Sequence, residues 1–153
     1  MNMEIRLAQP DEYETIAAIW YESATQMDGG APALDDPSTL SDRIIRSVEN
    51  GWCLNVAVAD GHIVGLLATI PEDGILDQLF VAPEAQCQGI GAALLDKAKQ
   101  QLPTGFTLRT PVTNVAGHRF YERHGLRVIQ DTAHPITGAP VRRFGWRQQA
   151  TEG

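Results

Sequence analysis

Two short segments concentrate the residues able to do chemistry. The first is Leu79-Phe80-Val81-Ala82-Pro83-Glu84-Ala85-Gln86-Cys87-Gln88-Gly89-Ile90-Gly91-Ala92-Ala93-Leu94-Leu95, a strand, a short loop and a helix opening on glycines and small residues. A helix start leaves about four backbone N–H groups unpartnered and carries a partial positive charge. Glycines let a large anion approach that backbone, so the segment has the makings of a diphosphate cradle. A P-loop is excluded, since no Gly-Lys-Ser/Thr follows. So is a dinucleotide fingerprint: Leu94 stands where its third glycine or alanine belongs, and no acidic residue ends a strand about 20 residues on. A glycine-rich helix start without a ligand is the plain alternative. The second segment is Asn114-Val115-Ala116-Gly117-His118-Arg119-Phe120-Tyr121-Glu122-Arg123-His124-Gly125-Leu126. At about 100° per residue, Asn114, His118 and Tyr121 fall within roughly one 60° sector, with Gly117 beside them. An amide, a glycine and a phenol make a poor core face but a good wall for a polar ligand. The alternative for Tyr121 is a half-buried packing residue.

The elements that must position these segments can be read from periodicity. Glu4 to Ala8 alternates as a half-buried strand, and Pro10 with Asp11 and Glu12 opens a helix whose apolar face is Tyr13, Ile16, Ala17 and Trp20. Gln26 to Asp36 is a loop by composition; Asp36 then caps a second helix with Pro37 in its first position and Leu40, Ile44 and Val48 along one side. Trp52–Ala59 and His62–Ile70 flank Asp60-Gly61, a dipeptide that favours a type I′ hairpin, and Pro71 to Gly74 turns the chain into Ile75–Val81. A helix over about Gly89–Leu102, a strand at Phe106–Thr110 whose pairing Pro111 should stop, and a helix over about Val115–His124 closed by Gly125 follow. Leu126–Thr132 and Val141–Trp146 form a closing hairpin. The order β-α-α-β-β-β-α-β-α-β-β describes one mixed α/β domain spanning 1–153 around a single sheet.

Composition narrows the function classes. The 153 residues are 43% hydrophobic and 20% charged, the make-up of a globular protein rather than a disordered one. With no apolar leader and no run near the roughly 18 apolar residues of a membrane span, a cytoplasmic protein without membrane partners is expected. Cys53 and Cys87 are too few for a disulfide framework or a four-ligand zinc site, and His62, His118, His124 and His134 form no ligand spacing, so no metal is expected. A net charge of −7 argues against a nucleic-acid partner. It suits a cationic substrate, with simple solubility as the alternative.

Both segments together resemble the GNAT superfamily of acyl-CoA-dependent N-acetyltransferases. Gln86-Cys87-Gln88-Gly89-Ile90-Gly91 fits the CoA pyrophosphate pattern Gln/Arg-x-x-Gly-x-Gly/Ala in full, within what looks like the family's motif A. The second segment looks like Asn-x-x-Ala-x-x-Phe-Tyr-x-x-x-Gly-Phe, with Gly117 replacing the usual Ala and Leu126 the usual Phe. The element order matches that fold over nearly the whole chain. The resemblance implies a mostly antiparallel sheet, splayed between its fourth and fifth strands and flanked by about four helices. It also implies an enzyme moving an acetyl group from acetyl-CoA, bound in the splay, to the primary amine of a small molecule or amino acid. A peptide or protein acceptor and a non-catalytic acyl-CoA sensor are the alternatives. Homodimers are common on this fold, though no stretch here marks an interface.

Residue by residue, the resemblance implies that amides from Cys87 through Gln88, Gly89, Ile90 and Gly91 to Ala92 hold the pyrophosphate, with Gln86 opening the loop. Val81 would bond the pantetheine arm through its main chain, the amide near Phe80 would polarise the acetyl carbonyl, Asn114 would bond the cofactor from the other wall, and Tyr121 would lie near the sulfur. An amine of pKa near 10.4 is neutral in only about one molecule in 10³ to 10⁴ at pH 7, so a base or water relay is needed. The departing thiolate needs a proton, for which Tyr121 is the candidate acid, with direct transfer and no covalent enzyme intermediate. Asp77 is the candidate base, where many relatives carry Glu; strand parity groups it with Leu79 and Val81, and a solvated or salt-bridged strand residue is the alternative. His118 is the lesser candidate. Arg119 and Arg123 could reach a 3′-phosphate or be plain surface charges. Trp20, Tyr21, Met27 and Asp28, with Asp35 and Asp36, occupy the stretch that shapes the acceptor pocket; carboxylates and aromatics there would suit a cationic amine.

Overall fold

The computed structural model describes residues 2–26 and 36–147. Strand β1 (Met3–Leu7) leads through a 3₁₀ turn at Pro10–Glu12 into helix α1 (Tyr13–Gln26). The expected helix start at Pro10 is thus a tighter turn, closed by Glu12, whose side chain accepts from the Gln9 amide at 2.8 Å and from Arg6 at 2.7 Å. Helix α2 (Pro37–Glu49) begins as the sequence dictates: the Asp36 carboxylate accepts from Thr39 N at 2.9 Å, and Pro37 fills a position that needs no donor.

Strands β2 (Cys53–Ala59), β3 (His62–Ile70) and β4 (Ile75–Val81) form the expected meander. Asp60 and Gly61 have φ of 51° and 84°, the paired positive values a type I′ turn requires. Helix α3 (Ile90–Gln101), strand β5 (Phe106–Pro111), helix α4 (Val115–Arg123) and strands β6 (Arg127–Ala133) and β7 (Pro140–Trp146) complete the domain. The sheet order is β1-β2-β3-β4-β5-β7-β6, and every neighbour is antiparallel except β4 and β5.

Helix α1 packs on β3 and β4 from one side, against α2, and α3 packs on the same strands from the other. Gly65 on β3 marks the α3 face: a Cβ there would meet Leu94 and Ile90. The core runs through both layers, with Ile16, Leu40, Ile44, Val56 and Leu66 on the α1 side and Leu67, Ile90, Leu94 and Leu95 on the α3 side, all fully or almost fully buried. Each such side chain contributes about 1.5–3 kcal/mol on leaving water.

One irregularity matters for the site. Ala68 pairs with Gln78 but Thr69 pairs with Leu76, so Asp77 is an extra residue on β4, a bulge.

Candidate active site

Strands β4 and β5 meet only at their beginnings. Ile75 pairs with Thr107, and Thr107 N donates to Gly74 O at 3.0 Å; beyond that β4 stays with β3 and β5 with β7, and a gap opens between them. Backbone groups of successive strand residues point to opposite edges. Ala82 N donates to Val64 O on β3 at 2.8 Å, so the main chains of Val81 and Leu79 face the gap, while that of Phe80 faces β3. The amides able to polarise a carbonyl in the gap are therefore those on either side of Phe80. Val81 O already accepts from Ser23 Oγ on α1 at 3.1 Å and Gln86 Nε2 at 3.3 Å, which fixes the end of β4. On the opposite bank, Pro111 does not stop the pairing of β5 as expected: it is in register with Val141. Val112 N donates to Pro140 O at 3.2 Å, so the Pro111 nitrogen lies on the gap side, where no ladder partner is required.

At the α3 end of the gap the main chain is bare of partners. Gln86 N bonds Pro83 O and Ala93 N bonds Gly89 O, but the amides from Cys87 to Ala92 donate to nothing in the described residues. Cys87 and Gly89 both take positive φ, 66° and 82°, and a Cβ at Gly89 would stand in open space over the helix start. Gly91 packs under Phe120, where a Cβ would come within 3.3 Å of the ring, so α3 and α4 approach closely at this end. Exposed amides at a helix start fit a diphosphate group. The sequence resemblance assigns Gln86, Cys87, Gln88, Gly89, Ile90, Gly91 and Ala92 to this role; in the structure the amides of Cys87 to Ala92 are free among the described residues, and the Ile90 side chain is buried in the core.

Helix α4 forms the adjoining wall. The Asn114 carboxamide is the N-cap: its Oδ1 accepts from Gly117 N at 3.2 Å and its Nδ2 donates to Thr110 Oγ1 at 2.9 Å. Both ends are thus committed within the protein, and Asn114 ties β5 to α4. A Cβ at position 117 would overlap that carboxamide, which accounts for glycine there. His118 is also committed: Nε2 lies 3.0 Å from Pro111 O, Nδ1 faces Arg142, and the ring packs on Phe144. Tyr121 packs between Phe120 and Phe144. Its hydroxyl has no hydrogen-bond partner among the described residues, yet retains solvent access, since no buried polar side-chain atom is unpartnered. Burial pushes the phenol pKa up to about 12, so it is protonated at neutral pH and able to donate.

The other face of the gap is different. The bulge breaks the expected parity, and Asp77 leaves the face of Leu79 and Val81: its Oδ2 accepts from Trp52 Nε1 at 2.8 Å on the α1 side. Trp20, expected to line the acceptor pocket, is 2% exposed and packs 5.8 Å from Trp52 with the Arg43 guanidinium over its ring. It supports the wall from behind. Tyr21 is exposed and lies outside the cavity lining; Met27, Asp28 and Asp35 lie outside the described residues, and Asp36 is taken up by the α2 cap. The cavity on this face holds about 350 Å³ and is lined by Asp77 and Gln78, by Arg109 and Arg143, and by Thr132 and His134. Arg109 and Arg143 stand opposite each other on β5 and β7, while Leu108 and Phe144 face α4. His134 Nδ1 accepts from the Ile136 and Thr137 amides, which leaves its Nε2 to carry the proton. Burial and the charges of Arg109 and Arg43 lower the His134 pKa, against the pull of Asp77.

Sequence reasoning did not find Trp52, Ser23, Arg109, Arg143 or His134. Arg109 and Arg143 lie within the expected strands, and only the pairing register brings them together. Among the described residues no group of His, Cys, Asp and Glu could hold a metal ion, and no helix is long and apolar enough to cross a membrane.

Known proteins agree with this geometry. The acetyltransferase (GNAT) domain model matches residues 50–127, a stretch holding β2 to α4. The peptidyl-lysine N-acetyltransferase YiaC of Escherichia coli is 29% identical over 148 residues, covering 93% of this chain and 95% of that protein. The apo form of YjaB from Escherichia coli superposes with a TM-score of 0.75 at 24% identity, covering 95% of this chain and 97% of that one. PaiA N-acetyltransferase from Thermoplasma acidophilum, solved in complex with coenzyme A, does so with a TM-score of 0.71 at 22% identity, covering 94% and 98%. With half the chain matched by its model and the strand splay in place, the protein belongs to the GNAT acetyltransferase family.

Proposed function

We propose that the chain transfers the acetyl group of acetyl-CoA to the primary amine of a small molecule or amino acid, by direct attack with both substrates bound. The observation that carries this reading is the gap between β4 and β5, with free amides at one end and a cavity on the opposite face. Bound acetyl-CoA supplies an activated thioester carbonyl. Transfer breaks its C–S bond and forms a C–N bond, while the amine loses a proton and the departing sulfur gains one.

The chain's own groups have matching tasks. Amides from Cys87 to Ala92 hold the pyrophosphate, and the gap-facing amides of Leu79 and Val81 donate to the pantetheine arm and to the carbonyl oxygen as it becomes negative. Tyr121, kept protonated by burial, gives its proton to the leaving sulfur. Asp77, with one oxygen held by Trp52, presents the other to the cavity as acceptor of the amine proton, through water. Asn114 and His118 position α4 and take no part in proton transfer. Cys87 is exposed, and no base bonds it, which supports transfer without a covalent enzyme intermediate.

Likeness to YiaC favours a second reading, a peptide lysine as acceptor. The test is thiol release from acetyl-CoA across amines, amino acids and lysine peptides, run beside Tyr121→Phe. Turnover that drops at least about tenfold in the variant supports the reading. Turnover with peptides alone moves the acceptor to the second, and failure to bind CoA overturns both.

A further inference from the structure

The chain carries a net charge of −7, yet the cavity beside Asp77 is lined by Arg109, Arg143 and His134 with Asp77 as the sole carboxylate among its described lining residues. The two arginines are directly opposed on neighbouring antiparallel strands, an arrangement that like charges disfavour. Neither forms an ion pair among the described residues. Two other strand arginines differ: Arg142, the residue before Arg143 on β7, bonds Asp131 at 2.7 and 3.0 Å, and Arg6 on β1 bonds Glu12 at 2.9 and 2.7 Å. Arg109 and Arg143, without such partners, both line the cavity. A guanidinium pair with free N–H forks is the natural receptor for a carboxylate. His134 adds a third donor, because the backbone amides at its Nδ1 leave the proton on Nε2.

We infer that the acceptor amine carries a carboxylate, which Arg109 and Arg143 bind while Asp77 faces the amine. This rests on the acetyltransferase reading above and narrows its acceptor to an amino-acid-like zwitterion. The polarity of the cavity is divided accordingly: an anion on the β4 side for an ammonium, cations on the β5 and β7 side for a carboxylate. A polyamine or a plain alkylamine would leave the arginines unmatched and meet their repulsion.

The experiment compares matched acceptors, each amino acid against its own carboxamide, by initial rates of thiol release with saturating acetyl-CoA. The carboxylate form is expected to exceed the carboxamide in kcat/KM by about ten- to a hundredfold, the range that hydrogen bonds to a charged group span. Arg109→Gln and Arg143→Gln should each bring that ratio toward one, chiefly through the KM of the carboxylate form, and Arg143→Lys should restore part of it. Equal or better turnover of carboxamides overturns the inference and leaves the enzyme reading intact. No turnover on any amine, with CoA still bound, overturns the enzyme reading and this inference with it. A ratio that survives both Gln variants assigns the selectivity elsewhere and also overturns it.

Discussion

On the α3 side of the gap the chain offers main-chain amides from one unbroken stretch, Cys87 to Ala92; on the α1 side it offers side chains drawn from β4, β5, β7 and the β6–β7 loop. The first surface owes its shape to positive φ values and a helix start, and in the proposed function it reads a diphosphate, a feature common to every acyl-CoA donor. The second owes its shape to a bulge and a pairing register, so it can change from one protein to another without disturbing the first. In the proposed function, donor binding is therefore kept in backbone and acceptor choice in side chains. Tyr121, on α4, packed between Phe120 and Phe144, is the proton donor proposed to link the two.

That division can be broken from either side, and the largest effect is expected at the meeting point. Tyr121→Phe removes the proposed proton donor while keeping the ring between Phe120 and Phe144. Its kcat should fall by about a hundredfold with CoA affinity retained, as single-turnover kinetics and calorimetry would report. Gly89→Val attacks the cradle: a branched residue at φ 82° is strained by about 1–2 kcal/mol and stands over the amides. Calorimetry should show CoA binding weakened by between about ten- and a hundredfold, with the acceptor KM little changed. Asp77→Asn attacks the other side. Its amide oxygen can still accept from Trp52, so the melting temperature should hold while kcat falls about tenfold.

Smaller effects sharpen the same contrast. Asn114→Ala deletes the α4 cap and should cost about 1 kcal/mol in denaturant unfolding, lowering kcat through misplacement of Tyr121 rather than through loss of a reacting group. The mildest signature is in alkali. A phenol whose folded pKa is raised from 10 to about 12 stabilises the fold fully below pH 10, and the contribution is lost as pH rises through 12. Urea midpoints of wild type should fall more over that window than those of Tyr121→Phe.

The same contrast explains what could be read in advance. Hairpin, caps and helix starts are local, and Asp60-Gly61, Asp36-Pro37 and the Gln86–Gly91 loop each specify their geometry within a few residues. Tyr121 was singled out because one helix face carries it beside Asn114 and His118. Asp77 was placed on the wrong face, since strand parity presumes an unbroken ladder and the bulge opposite Ala68 and Thr69 breaks it. Pro111 was read as a stop, but a missing N–H matters only on the bonded edge, and which edge that is depends on β7, on the far side of α4 and β6 in the chain. Arg109 and Arg143 carried no signal at all until register set them side by side. Trp20 looked like pocket lining by position and proved to be the support beneath it, covered by Arg43 and Trp52.

In the proposed function a backbone-held donor and a side-chain-held acceptor meet across the gap at the same time. Initial rates of thiol release, measured while acetyl-CoA and the acceptor are both varied, test it most directly. Intersecting double-reciprocal lines are predicted, as both substrates must be bound before the bond is made. Parallel lines, the mark of an acetylated enzyme, would contradict it.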